Sequence, residues 1–93
     1  MSGMKRAVII VHGRVHGVFF RDSTMRKARE LGLAGTVQNL PDGTVQIVAQ
    51  GSPSALNDLI LWAHEGPPAA VVRDVKTTYA SPEADLDGFR ILF

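Results

Sequence analysis

The sequence predicts an α+β fold, a ferredoxin-like βαββαβ sandwich with an antiparallel sheet and two helices on one face. Three observations point to it. The apolar pattern switches twice from the two-residue period of a strand to the 3.6-residue period of a helix. Glycine, proline, asparagine and aspartate cluster at the switches and between the two central strands. The chain has 93 residues, so all of these elements share one core, and 1–93 is expected to form a single domain.

The first strand runs from Lys5 to His12, with β-branched residues throughout and apolar side chains on both faces. From Phe20 onward the period changes, and Phe20, Thr24, Ala28 and Leu31 fall on one helical face. Asp22, Arg26, Lys27, Arg29 and Glu30 lie largely elsewhere, and the three basic residues read as a solvated face. Gly32 is placed to stop this helix in a left-handed cap. A second strand covers Gly35 to Asn39, and Leu40-Pro41-Asp42-Gly43 supplies the chemistry of a tight turn. Val45, Ile47 and Ala49 then alternate with Gln46, Val48 and Gln50, a half-buried strand that pairs with the one before as a hairpin.

Ser52 is suited to cap a second helix with Pro53 at its first position. Its inner face is Leu56, Leu59, Ile60 and Ala63, Trp62 packs with it, and Gly66-Pro67-Pro68 ends it. Val71 to Tyr79 is a further strand. Pro82 to Gly88 is a polar, acidic loop, and Phe89 to Phe93 forms a short terminal strand with its aromatics on one face.

Composition narrows the function classes. Apolar residues make up 45% and charged residues 20% of the chain, ordinary for a globular protein. No apolar run is long enough to span a membrane, and Met1 to Arg6 lacks the apolar core of a signal peptide. Cysteine is absent, which removes disulfides, thiolate metal sites and cysteine nucleophiles together. A cytoplasmic protein is the expectation. The net charge of +1 conceals an asymmetry, because residues 1–35 hold seven of the ten basic side chains and only two of the nine acidic ones. Such a basic half can draw an anionic ligand. His12, His16 and His64 lack metal-ligand spacing and read as structural or solvent-facing, so no metal is expected.

The stretch Gly13-Arg14-Val15-His16-Gly17-Val18-Phe19-Phe20-Arg21 lies between the first strand and the first helix. Two glycines, a helix amino end and a closing arginine are the parts of a small-anion cradle. Backbone N–H groups from Val15, His16, Gly17, Val18, Phe19 and Phe20 can turn toward an oxyanion while the Arg21 guanidinium forks onto two oxygens. The spacing lacks the Gly-Lys-Ser/Thr of nucleotide loops and the third glycine of a dinucleotide site. A strand–helix–strand crossover runs its two strands in the same direction, so Asn39, at the end of the second, belongs beside Arg21.

The chain resembles the acylphosphatase family. The resemblance rests on the stretch from Gly13 to Arg21 and on a second signature, Gly35-Thr36-Val37-Gln38-Asn39 with Gly43-Thr44-Val45 and Gly51. Ala28, Leu31-Gly32-Leu33 and the apolar second helix agree, so the likeness covers nearly the whole chain. It implies metal-independent hydrolysis of the carboxyl–phosphate bond of acyl phosphates, with no cofactor. In the family the arginine closing the first motif binds phosphate and the asparagine of the second orients the attacking water, roles that fall on Arg21 and Asn39. The family usually carries glutamine where this chain has His16 and an aromatic where it has Thr36.

The implied partners are a small-molecule acyl phosphate and inorganic phosphate or sulfate as product or inhibitor. Neither nucleic acid nor membrane is expected, and a monomer is favoured. A phosphate-sensing or regulatory module without turnover is the alternative reading. An RNA-recognition module fits poorly, because Ala7–His12 and Thr44–Gln50 contain no aromatic for base stacking.

Overall fold

The computed structural model describes residues 3–93. Met1 and Ser2, which begin the segment read as lacking a targeting signal, lie outside the described residues. The elements are β1 (Lys5–Arg14), α1 (Phe20–Glu30), β2 (Ala34–Asn39), β3 (Val45–Gly51), α2 (Pro53–Ala63), β4 (Val71–Ala80) and β5 (Phe89–Leu92). The strands form one sheet in the order β4-β1-β3-β2-β5. No helix is long and apolar enough to cross a membrane among the described residues.

Strand alternation decides which face is covered. Ala7, Ile9 and Val11 of β1 and Val45, Ile47 and Ala49 of β3 are fully buried, and both helices pack against this face. In β1 and β3 they pair directly, Ala7 with Ala49, Ile9 with Ile47 and Val11 with Val45. Leu56, Leu59 and Ala63 of α2 and Phe20 and Ala28 of α1 close the core from above. Burying each of the large side chains is worth about 1.5–3 kcal/mol. The Phe20 and Trp62 rings, 5.5 Å apart between centroids, join the two helices.

The helix ends follow their sequence signals. Ser52 Oγ accepts a hydrogen bond from the Ala55 N–H at 3.2 Å, and Pro53 occupies the first helical position where its missing N–H costs nothing. Gly32 adopts φ 73° after α1. The Leu33 N–H bonds to the Ala28 carbonyl and the Gly32 N–H to that of Arg29, which completes a Schellman termination. The buried Thr24 hydroxyl donates to the Phe20 carbonyl at 2.7 Å, so it enters the core satisfied.

Four departures from the sequence reading have physical causes. The antiparallel sheet holds for β4-β1-β3-β2, but β5 lies parallel to β2, which makes the sheet mixed. Arg29, although exposed, does more than form a solvated face, because it secures β5 by donating to the Phe89 carbonyl from Nε at 3.1 Å and Nη2 at 2.9 Å. Gln50 is 2% exposed because its side-chain amide bonds both ways to the Glu83 backbone, at 2.8 and 2.7 Å. Phe93 falls beyond β5 and is fully exposed, whereas Phe89 is buried, so the terminal aromatics do not share a face.

Candidate active site

β1 and β2 are both antiparallel to β3 and therefore run in the same direction. The segment leaving β1 and the last residue of β2 consequently meet at one edge of the sheet. A cavity of about 320 Å³ lies there, lined by Val15, Gly17, Phe19, Phe20, Arg21, Asp22, Asn39, Ile91 and Phe93. Arg21 and Asn39, eighteen residues apart in the chain, are thus brought to a single site. Of the six expected cradle residues, Val15, Gly17, Phe19 and Phe20 line it, while His16 and Val18 do not. Val18 turns into the core, and the His16 ring reaches the β2–β3 turn.

The loop is shorter than the sequence reading drew it, because β1 continues to Arg14. Its pairing with β4 shifts register between His12 and Gly13, as at a β-bulge. Gly13 stands at φ 133°, and a Cβ there would come within 2.1 Å of the Val71 carbonyl oxygen. Only glycine allows that approach, and the bulge turns the chain toward the cavity. Farther on, Gly17 at φ 71° and Phe19 at φ 64° both take the left-handed conformation. Successive turns of this kind direct backbone N–H groups to one side.

Phe19 is the N-cap residue of α1 and provides no side-chain cap. The first hydrogen bond of the helix runs from the Ser23 N–H to the Phe19 carbonyl at 3.0 Å. The N–H groups of Phe20, Arg21 and Asp22 therefore have no intrahelical acceptor, and they carry the positive end of the helix dipole. Asp22 also borders the cavity, with its carboxylate held by Arg26 at 3.0 Å. The ion pairs among the described residues occupy Arg6, Arg26 and Lys27. Arg21 instead places its guanidinium carbon 5.1 Å from the centre of the Phe93 ring. Stacking uses the face of a guanidinium and leaves its in-plane N–H donors available.

Asn39, which also lines the cavity, has its Oδ1 buried and without a hydrogen-bond partner among the described residues. A buried acceptor left unpaired costs about 1–3 kcal/mol, so its persistence beside a cavity needs a reason. The turn that follows is firmly held. Thr44 donates its hydroxyl to Asp42 Oδ1 at 2.6 Å and its N–H to the same oxygen at 3.0 Å. These bonds, the hydroxyl first, hold the Asp42 carboxyl below its ordinary value. The Thr44 carbonyl in turn accepts from His16 Nε2 at 2.8 Å, tying the loop after β1 to the turn after β2.

Sequence reasoning missed Ile91, Phe93 and Asp22 as walls of the site and Thr44 as its fastening. The Asp42-Gly43-Thr44 spacing signals the side-chain turn. No local signal announces the two C-terminal residues, because their position follows from the long-range pairing of β5. No group of three or more His, Asp or Glu side chains stands close enough to hold a metal ion among the described residues.

The acylphosphatase family model matches residues 7–91. A protein of Nostoc sp. described as an acylphosphatase is 50% identical over 90 residues, covering 97% of this chain and 88% of its own. One from Thermococcus kodakarensis, described in the same way, is 49% identical over 87 residues and covers 94% of each chain. The solved structure of an acylphosphatase from Coxiella burnetii superposes with a TM-score of 0.91 at 40% identity, covering 96% of this chain and 93% of that one.

Proposed function

The chain belongs to the acylphosphatase family, and from that premise we propose that Arg21 and Asn39 carry the reaction at the cavity they share. The protein is a hydrolase that splits acyl phosphates into carboxylate and inorganic phosphate. In balanced form, a dianionic acyl phosphate and one water give a carboxylate anion and dihydrogen phosphate. The P–O bond to the acyl oxygen breaks as the bond from water oxygen to phosphorus forms.

This substrate asks little of a protein. Its leaving group is a carboxylate, whose conjugate acid ionises near pKa ~4, so it departs at neutral pH without a proton. The transition state is largely dissociative, and what remains is positioning and charge stabilisation. Arg21 binds two phosphoryl oxygens with in-plane donors. The free N–H groups at the amino end of α1 and in the loop from Val15 hold the remaining charge. Asn39 is neutral and cannot serve as a base. Its side-chain amide hydrogen-bonds the attacking water and holds the water oxygen toward phosphorus. The lining of one cavity by both Arg21 and Asn39 is the observation that carries this assignment.

The same reading includes phosphate or sulfate as a competing anion, no cofactor, one domain spanning 1–93 and a cytoplasmic monomer. The test is hydrolysis of benzoyl phosphate in the presence of a chelator, alongside phosphate binding by calorimetry. Arg21→Ala is expected to lose at least two to three orders of magnitude in turnover, or about 3–4 kcal/mol, and most phosphate affinity. Asn39→Ala is expected to lose turnover but retain much of that affinity. Wild-type rates in both variants, or phosphate binding by the wild-type protein without release of benzoate, would overturn the assignment.

A further inference from the structure

Two large aromatic side chains stand in solvent where ordinary folding energetics would not leave them. Phe19 is 79% exposed, and it is the one non-glycine residue at positive φ among those described. A left-handed backbone is unfavourable for a residue with a bulky side chain, and an exposed ring recovers none of that cost by burial. Phe93 is fully exposed. Both rings border the cavity that holds Arg21 and Asn39. The other large exposed hydrophobics, Met4, Leu61, Val71, Tyr79 and Leu92, do not line it.

We infer that Phe19 and Phe93 form an apolar rim that receives the acyl group, so that the enzyme selects aromatic or bulky apolar acyl phosphates over acetyl phosphate. The inference rests on the assignment of Arg21 as the phosphoryl clamp. The Arg21 guanidinium faces the Phe93 ring at 5.1 Å and keeps its N–H edge for the phosphoryl oxygens. A phosphoryl group gripped there lies beside the ring, and its acyl substituent begins one oxygen away from phosphorus. Phe19, at the amino end of α1, lines the same cavity from the helix side. The site therefore pairs a cationic floor with an apolar margin, the complement of a ligand that is anionic at one end and apolar at the other. A phenyl group gains a stacking or edge-on contact with such a rim that an acetyl group, having no ring, does not make.

The test compares kcat/KM for benzoyl and acetyl phosphate in the wild type, Phe19→Ala and Phe93→Ala. The quantity read is the benzoyl-to-acetyl ratio, which cancels any damage to the loop that slows both substrates alike. Each substitution is expected to lower that ratio by up to about tenfold, mainly through a higher KM for benzoyl phosphate. Phe19→Asn separates the ring from the backbone, because asparagine accepts the left-handed conformation; its ratio should match that of Phe19→Ala. Ratios within twofold of wild type in Phe19→Ala and Phe93→Ala would overturn the inference while leaving the Arg21 and Asn39 assignment in place. A wild-type protein that hydrolysed neither substrate would overturn both.

Discussion

The carbonyl oxygen of Thr44 accepts two hydrogen bonds, from the Leu40 N–H at 2.9 Å and from His16 Nε2 at 2.8 Å. It joins the loop that leaves β1 to the turn that follows Asn39. A carbonyl requires a donor, so His16 carries a proton on Nε2. A glutamine amide offers an N–H donor of the same kind, which explains how His16 can stand where the family usually has glutamine. Asp42 completes the fastening through the Thr44 hydroxyl and N–H. Its carboxyl is held below the ordinary value of 3.8, so it stabilises the folded state above that pH and loses the effect as pH falls through the lowered value. Replacing Asp42 by asparagine should therefore lower stability by a constant amount from neutral pH down to about pH 4. The gap to wild type should narrow at lower pH, as followed by urea unfolding across an acid series.

At the scale of elements, β1 is the part that most constrains the site, because its bulge sets where the loop begins. Gly13 and Gly17 both have positive φ but differ in surroundings. A Cβ at Gly13 meets the Val71 carbonyl, and one at Gly17 meets nothing within 4 Å. Alanine at Gly13 should cost on the order of 3 kcal/mol through overlap and backbone strain, against about 1–2 kcal/mol at Gly17 from strain alone. Denaturant midpoints of the two variants check this order. The strands and helices themselves were readable in the sequence, because Val8 to Val11 is a β-branched apolar run, Val45 and Ile47 alternate about Gln46, and Phe20, Thr24 and Ala28 recur at helical spacing. The meeting of Arg21 and Asn39 was readable too, since it follows from crossover direction alone. The parallel pairing of β5 was not. It depends on bonds between distant residues, such as Arg29 to the Phe89 carbonyl and the Gly35 N–H to the Gly88 carbonyl. The exposed placement of Phe93 follows from that pairing and was hidden with it.

For the molecule as a whole, the basic half of the sequence does not become a uniform basic surface. Arg6, Arg26 and Lys27 meet carboxylates, and Arg29 meets a backbone carbonyl. Arg21 stands against an aromatic ring, and of the seven basic residues in that half it is the one that lines the cavity. The amino end of α1 has a broader consequence. A helix whose N-cap residue offers no side-chain acceptor leaves its first donors to water. An anion seated there does for α1 what Ser52 does for α2, and it does so only while the chain is folded. Folding and anion occupancy are then thermodynamically linked, and phosphate at a hundred times its dissociation constant should add about 2.7 kcal/mol to unfolding free energy. The melting temperature should climb with phosphate concentration in the wild type and far less in Arg21→Ala, at matched ionic strength. On that outcome the hydrolytic product would also be a folding ligand, and phosphate concentration would set the stability margin of the fold.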